Sequence, residues 1–136
     1  MTRKTHTHVA CLLLAGIMAA SAQAAEWKDL IGKDLSGWKQ MGGKARYELE
    51  DGTIVGYTVP DSPNSFLTTK ELYSDFILEY ETHVEAGMNS GVMIRADVRD
   101  NGVVFGYQVE VDPTDRRFSG GLYDEKRRKW LYPLTL

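Results

Sequence analysis

The sequence predicts an all-β domain, a sandwich of two antiparallel sheets, on three observations. About eight short runs rich in β-branched and aromatic residues are separated by turn residues. Several of these runs alternate polar and apolar residues, the period of a strand with one face buried. Amphipathic helical periodicity is almost absent, and without a crossover helix a parallel α/β sheet has no connection between its strands.

Residues 1–25 stand apart from this pattern. Arg3 and Lys4 make a basic start, residues 9–20 are apolar and uncharged, and Ser21-Ala22-Gln23-Ala24-Ala25 supplies small residues of the A-x-A kind. That is the layout of a secretory signal peptide, cleaved after Ala24 or Ala25, and the apolar run is too short for a permanent span. Cys11 does not close the run and His8 stands where an aliphatic residue would be wanted, which argues against a lipid-anchored cysteine. A secreted or periplasmic location follows, with no membrane association once the signal is removed.

Taken in order, residues 28–39 carry Leu30, Ile31, Leu35 and Trp38, but Gly32 and Gly37 interrupt any period, so the segment reads as an entry loop. Residues 47–50 and 53–57 flank Asp51-Gly52, a strong hairpin signal because both residues tolerate positive φ. Pro60 and Pro63 mark a loop, and residues 65–69 a short strand. Residues 76–85 form the longest alternating run, with Phe76, Leu78, Tyr80, Thr82 and Val84 on one face and Ile77, Glu79, Glu81, His83 and Glu85 on the other. Strands are expected over 90–96 and 103–111, a Gly-rich strand over 118–123, a charged turn over 124–129, and a last strand opening at Trp130. The apolar run to Leu136 has no closing turn, so residues 26–136 are expected to be a single but partial β-sandwich domain, incomplete at its C-terminus; ending in mid-strand exposes a hydrophobic edge.

Removing 25 residues from 136 leaves 111, enough for one domain. Of the 16 Lys and Arg, Arg3 and Lys4 are lost, leaving 14 against 19 Asp and Glu, a balance of −5. That argues against a nucleic-acid partner, which needs a basic face, but not against an uncharged sugar. The mature chain has no cysteine, so the fold relies on its core alone. His83 is its one histidine.

Alternation singles out a set of candidate site residues. Asn89, Gly91, Met93 and Arg95 share one face of their strand; Gln108, Glu110 and Asp112 share a face of theirs, with Tyr107, Val109 and Val111 on the other. If the two strands lie in one sheet, a guanidinium meets several carboxyl and amide groups, a floor for binding or acid–base chemistry on a small polar molecule. The simpler reading of each is ordinary. Glu110 belongs to a solvated face, Arg95 to an ion pair with Glu81 or Glu110, and Lys70 to a solvated turn. His83, a base or metal ligand by chemistry, is as a lone histidine more often structural. Trp38, Tyr107 and Tyr123 stack on a sugar ring or belong to the core. Asp97, Asp100 and Asn101 do not have calcium-loop spacing, so no metal is expected.

Beyond single residues, Ile31-Gly32-Lys33-Asp34-Leu35-Ser36-Gly37-Trp38, Ser65-Phe66-Leu67-Thr68-Thr69-Lys70, Tyr73-Ser74-Asp75-Phe76, Asn89-Ser90-Gly91 with Arg95, Gly106-Tyr107-Gln108-Val109-Glu110-Val111-Asp112 and Gly120-Gly121-Leu122-Tyr123-Asp124 occur in that order. Together they resemble the secreted 3-keto-disaccharide hydrolase family, also called the 3-keto-glucoside lyase/hydratase domain. The resemblance runs from about Trp27 to the last residue. It implies a concanavalin-like jelly roll whose concave face holds a sugar, in a domain longer than this chain. The implied chemistry is cleavage of a 3-keto-glycoside. The ketone acidifies the carbon-2 hydrogen, loss of that proton expels the carbon-1 substituent, and water then adds to the product. Such a site needs a base near carbon 2, a donor for the enolate oxygen and an acid for the leaving group. Glu110 is the candidate base, Arg95 the oxyanion or hydroxyl donor, Glu81 and His83 further candidate catalytic groups, and Lys70, Asn89, Gln108, Asp112 and Tyr123 candidate substrate contacts. No cofactor is implied, and the expected partner is a small-molecule or oligosaccharide substrate. Rival expectations are a non-catalytic carbohydrate-binding module on the same sandwich and an inactive fragment.

Overall fold

The computed structural model describes residues 26–133. The signal-like segment and the last three residues, with the expectations placed on them, lie outside the described residues. Eight strands follow one 3-10 turn at Leu35–Gly37. They are β1 (Trp38–Gly42), β2 (Arg46–Glu50), β3 (Thr53–Tyr57), β4 (Ser65–Thr69), β5 (Ser90–Val98), β6 (Val104–Val111), β7 (Leu122–Glu125) and β8 (Lys129–Tyr132). β1 pairs with β4, β2 with β3, and β5-β6-β7-β8 form a four-stranded sheet in chain order. Every pairing is antiparallel. The described residues hold no α-helix, so the chain is all-β, consistent with a concanavalin-like jelly-roll sandwich.

Local chemistry explains the connections. Asp51 and Gly52 link β2 to β3 with φ 46° and 77°, both left-handed, as a two-residue hairpin turn requires. Tyr57 at the far end of that hairpin donates its hydroxyl to Glu50, and the Arg46 guanidinium lies 4.5 Å from the Tyr57 ring. The hairpin is nested between β1 and β4, where the Gly43 N–H bonds the Asn64 carbonyl at 2.8 Å. A β-bulge interrupts β5 between Ile94 and Asp97, with Arg95 at φ 49°. Gly106 of β6 crosses it at φ 141°, and a Cβ there would stand 2.7 Å from the Ala96 Cα; only glycine lets the strands approach so closely.

Three elements differ from the sequence-based expectation. The entry loop ends earlier, because Trp38 already pairs with Thr69 and opens β1; pairing with β4 outweighs the glycines that break its pattern. Asp34 caps the preceding turn by accepting the Ser36 N–H at 2.8 Å, and Trp38 Nε1 donates to the Leu30 carbonyl at 2.9 Å. Residues 76–85 form no strand. Alternation readies a segment for a sheet, but a strand exists only where a neighbour takes its backbone groups, and none among the described residues pairs with this run. In the third case β7 begins at Leu122 and runs on through Asp124 and Glu125, leaving a shorter turn. These carboxylates sit in a strand because basic side chains meet them there.

Val104, 1 % exposed, is the one fully buried apolar side chain among the described residues. The others buried are acidic: Glu110, Asp112, Asp124 and Glu125. Burying a charge is unfavourable unless it is paired and hydrogen-bonded, and here each is. Glu125, for example, accepts from Asn64 at 3.4 Å and faces the Lys126 ammonium at 3.5 Å. No buried side-chain nitrogen or oxygen among the described residues is left without a partner.

Candidate functional site

The register of β5 and β6 sets Gly91 opposite Glu110 and Met93 opposite Gln108, so Gln108 and Glu110 share a face. β7 and β8 extend it: Gln108 faces Tyr123, and Tyr123 faces Trp130. One face of the sheet therefore carries a carboxylate beside an amide and two aromatic rings, Tyr123 and Trp130, packed edge to face at 5.2 Å.

Glu110 is 2 % exposed and held from both sides. The Asn89 amide donates to Oε1 at 2.6 Å and the Gln108 amide to Oε2 at 2.8 Å. Gly91 makes this possible: a Cβ on it would lie 2.7 Å from the Gln108 Cγ and 2.6 Å from the Val109 carbonyl oxygen. A guanidinium nitrogen of Arg116 stands 3.9 Å from Glu110 Oε1, and its Nε 3.2 Å from Asp112 Oδ2.

Asp112 organises the loop that brings Arg116 there. Its Oδ1 accepts the Thr114 hydroxyl at 2.6 Å and the Thr114 N–H at 3.0 Å, its Oδ2 the Phe118 N–H at 3.3 Å. Ser119 closes the loop, accepting the Asp112 N–H at 2.9 Å. The Thr114 hydroxyl, helped by the two backbone donors and the Arg116 charge, outweighs burial and holds the Asp112 carboxyl below the usual carboxylate range. The Arg116 guanidinium lies 5.2 Å from the Phe118 ring and 6.0 Å from that of Trp130. Arg116, Phe118, Ser119 and Tyr132 line an adjoining depression of about 230 Å³.

Asn89, Gln108, Glu110 and Asp112 thus form one hydrogen-bonded and ion-paired group with Arg116, with Tyr123 in the same face. The other sequence-predicted residues lie elsewhere. Arg95 is exposed at the bulge, where its guanidinium reaches Asp75 at 3.4 Å, and no hydrogen bond or ion pair joins it to Glu110. Glu81 and His83 are exposed in the unpaired segment. Lys70 directly follows β4; its ammonium donates to the Ser36 carbonyl at 2.7 Å and lines a separate cleft of about 420 Å³ with Lys28, Asp34 and Glu71. Arg116 and Trp130 were not among the sequence candidates. A usable signal was Asp112-x-Thr114-x-Arg116, whose spacing lets an aspartate gather a turn hydroxyl and a cation. No group of three or more His, Cys, Asp or Glu among the described residues is placed to hold a metal.

One sheet face of this antiparallel β-fold thus carries a carboxylate, amides and aromatic rings, with the Arg116 guanidinium of the neighbouring loop beside them. The family model of the 3-keto-alpha-glucoside-1,2-lyase-like domain matches residues 26–134, and the chain belongs to that family. A comparison with curated proteins returns no match.

Proposed function

We propose that this chain is an exported domain that cleaves 3-keto-glycosides by elimination followed by hydration, with Glu110 as the base that takes the carbon-2 proton. Departure of that proton forms an enolate, the carbon-1 to oxygen bond breaks, and the leaving group collects a proton. Water then adds its oxygen to carbon 1 and its hydrogen to carbon 2. The observation that carries this reading is the fixed Glu110 carboxylate, oriented by Asn89 and Gln108 in the same face as Tyr123 and Trp130. Two neutral amide donors aim it without consuming all of its lone pairs. Arg116 is the nearest cation for a developing enolate. Arg95, the donor expected from the sequence, stands apart from this group at the β5 bulge, where it pairs with Asp75. Export rests on the composition of residues 1–25.

Two assays test this. Release of 3-keto-glucose from a 3-keto-glycoside is expected from the full chain, and Glu110→Gln lowers it about 10²–10⁴-fold while substrate still binds; an unchanged rate rules Glu110 out as the base. Fractionation of cells expressing the chain places it outside the cytoplasm, and deleting residues 2–25 retains it inside. A non-catalytic sugar-binding module is the second reading, favoured by the near-complete burial of Glu110. It predicts binding of intact glycans with no turnover, lost on Trp130→Ala.

A further inference from the structure

The opposite face of the same sheet carries a second cluster that the chemistry above does not use. In the ladder Ile94, Tyr107, Asp124 and Lys129 stand side by side, one residue out of step with the Glu110 row, so their side chains leave the other surface. Asp124 is fully buried and takes a guanidinium on each oxygen: Arg127 Nε on Oδ1 and Arg128 Nε on Oδ2, both at 2.6 Å. Aromatic rings back these two arginines. Arg127 lies 5.8 Å from the Phe105 ring and 5.0 Å from Tyr107, and Arg128 donates to the Tyr107 hydroxyl at 3.0 Å. Arg99, from the loop before β6, lies 5.2 Å from the other ring of the pair, Phe105, and donates to the Lys126 carbonyl at 3.2 Å.

Arg99, Lys126, Arg127, Arg128 and Lys129 therefore gather at one end of a sheet in a chain whose overall charge is negative. Asp124, buried beneath, pairs with Arg127 and Arg128, and the buried Glu125 with Lys126, while Asp97 and Asp100 flank Arg99 in the chain. The arginines remain open to solvent, the Arg127 side chain 36 % exposed and that of Arg128 60 %. With each Nε fixed on Asp124 and the planes set on aromatic rings, the outer N–H groups are held ready for an incoming ligand. A guanidinium edge matches a planar carboxylate in two parallel hydrogen bonds, and preorganisation lowers the ordering cost of binding.

We propose that this end of the β7–β8 hairpin, with Arg99, is a binding surface for an acidic polysaccharide, its arginines receiving the carboxylates of successive uronic acid units. Spaced cations on one surface suit a polymer with repeated charges. An anionic bilayer is a poorer fit, because the turn carries no large exposed apolar side chain to insert.

Affinity electrophoresis of the full chain through gels containing polygalacturonate tests this, with neutral dextran as the control. Retardation is expected with polygalacturonate only, weakening as salt rises. Arg99→Gln and Lys129→Gln leave Asp124 its partners, and each lowers affinity about two- to five-fold. Arg127→Gln with Arg128→Gln abolishes it, with a thermal melt as the check on folding. Glu110→Gln leaves it unchanged, so this surface and the proposed chemistry fail or stand separately. No retardation, equal retardation of the Arg99→Gln/Lys129→Gln double variant, or tighter binding to phosphatidylglycerol vesicles overturns the proposal.

Discussion

Gly91 stands across the ladder from Glu110, and its missing side chain leaves room for Gln108 to reach that carboxylate. Gly91→Ala is expected to destabilise the protein by about 1–3 kcal/mol, because the new methyl meets the fixed Val109 carbonyl as well as the movable Gln108. Urea unfolding measures that loss, and the activity assay shows whether displacing Gln108 also misaims Glu110. Gln108 and Glu110 were legible as partners in one face, since a period of two has a single outcome once the strand is recognised. Arg116 was not legible in that way. It reaches Glu110 from a loop whose shape Asp112 dictates through side-chain hydrogen bonds, and such loops have no period to read.

At the level of elements, hairpins declared themselves and lone strands did not. Asp51-Gly52 specifies a turn with φ positive at both residues, and β2 and β3 follow on either side. Gly52→Ala forces a side chain into the left-handed region and is expected to lose about 1 kcal/mol, whereas Asp51→Asn is near neutral; thermal melts of the two variants separate them. Residues 76–85 teach the opposite lesson. Their alternation is the longest in the chain, yet Phe76, Ile77 and Tyr80 remain exposed and, among the described residues, no backbone hydrogen bond ties residues 76–84 to another segment. A strand is a property of two segments, and composition describes only one of them. Amides of 76–84 are expected to exchange with deuterium far sooner than those of β6; protection equal to that of β6 would show that they are paired in solution.

At the scale of the molecule, the buried side chains among the described residues are a valine and four carboxylates, so cohesion depends on how those carboxylates are paired. Burial alone would raise the Asp124 carboxyl, but the hydrogen bonds from Arg128 and Arg127 outweigh it and hold the group below its ordinary value. Asp112 is depressed likewise. A carboxyl whose folded value is lowered stabilises the fold above its unfolded value, and that contribution is lost as pH falls through the folded one. Stability should therefore be level near neutrality and decline below about pH 4. Denaturant melts across that range check it, and Asp124→Asn should flatten the decline. An acidic interior of this kind is invisible to hydropathy, which is why the sheet was easier to foresee than what fills it. The unpaired run at 76–85 also bears on how these molecules meet one another. Main-chain groups that no neighbour among the described residues has claimed offer a berth to another copy's edge strand, so crowding would favour coalescence through the backbone, and Ile77→Pro would discourage it while leaving the solitary molecule as it is.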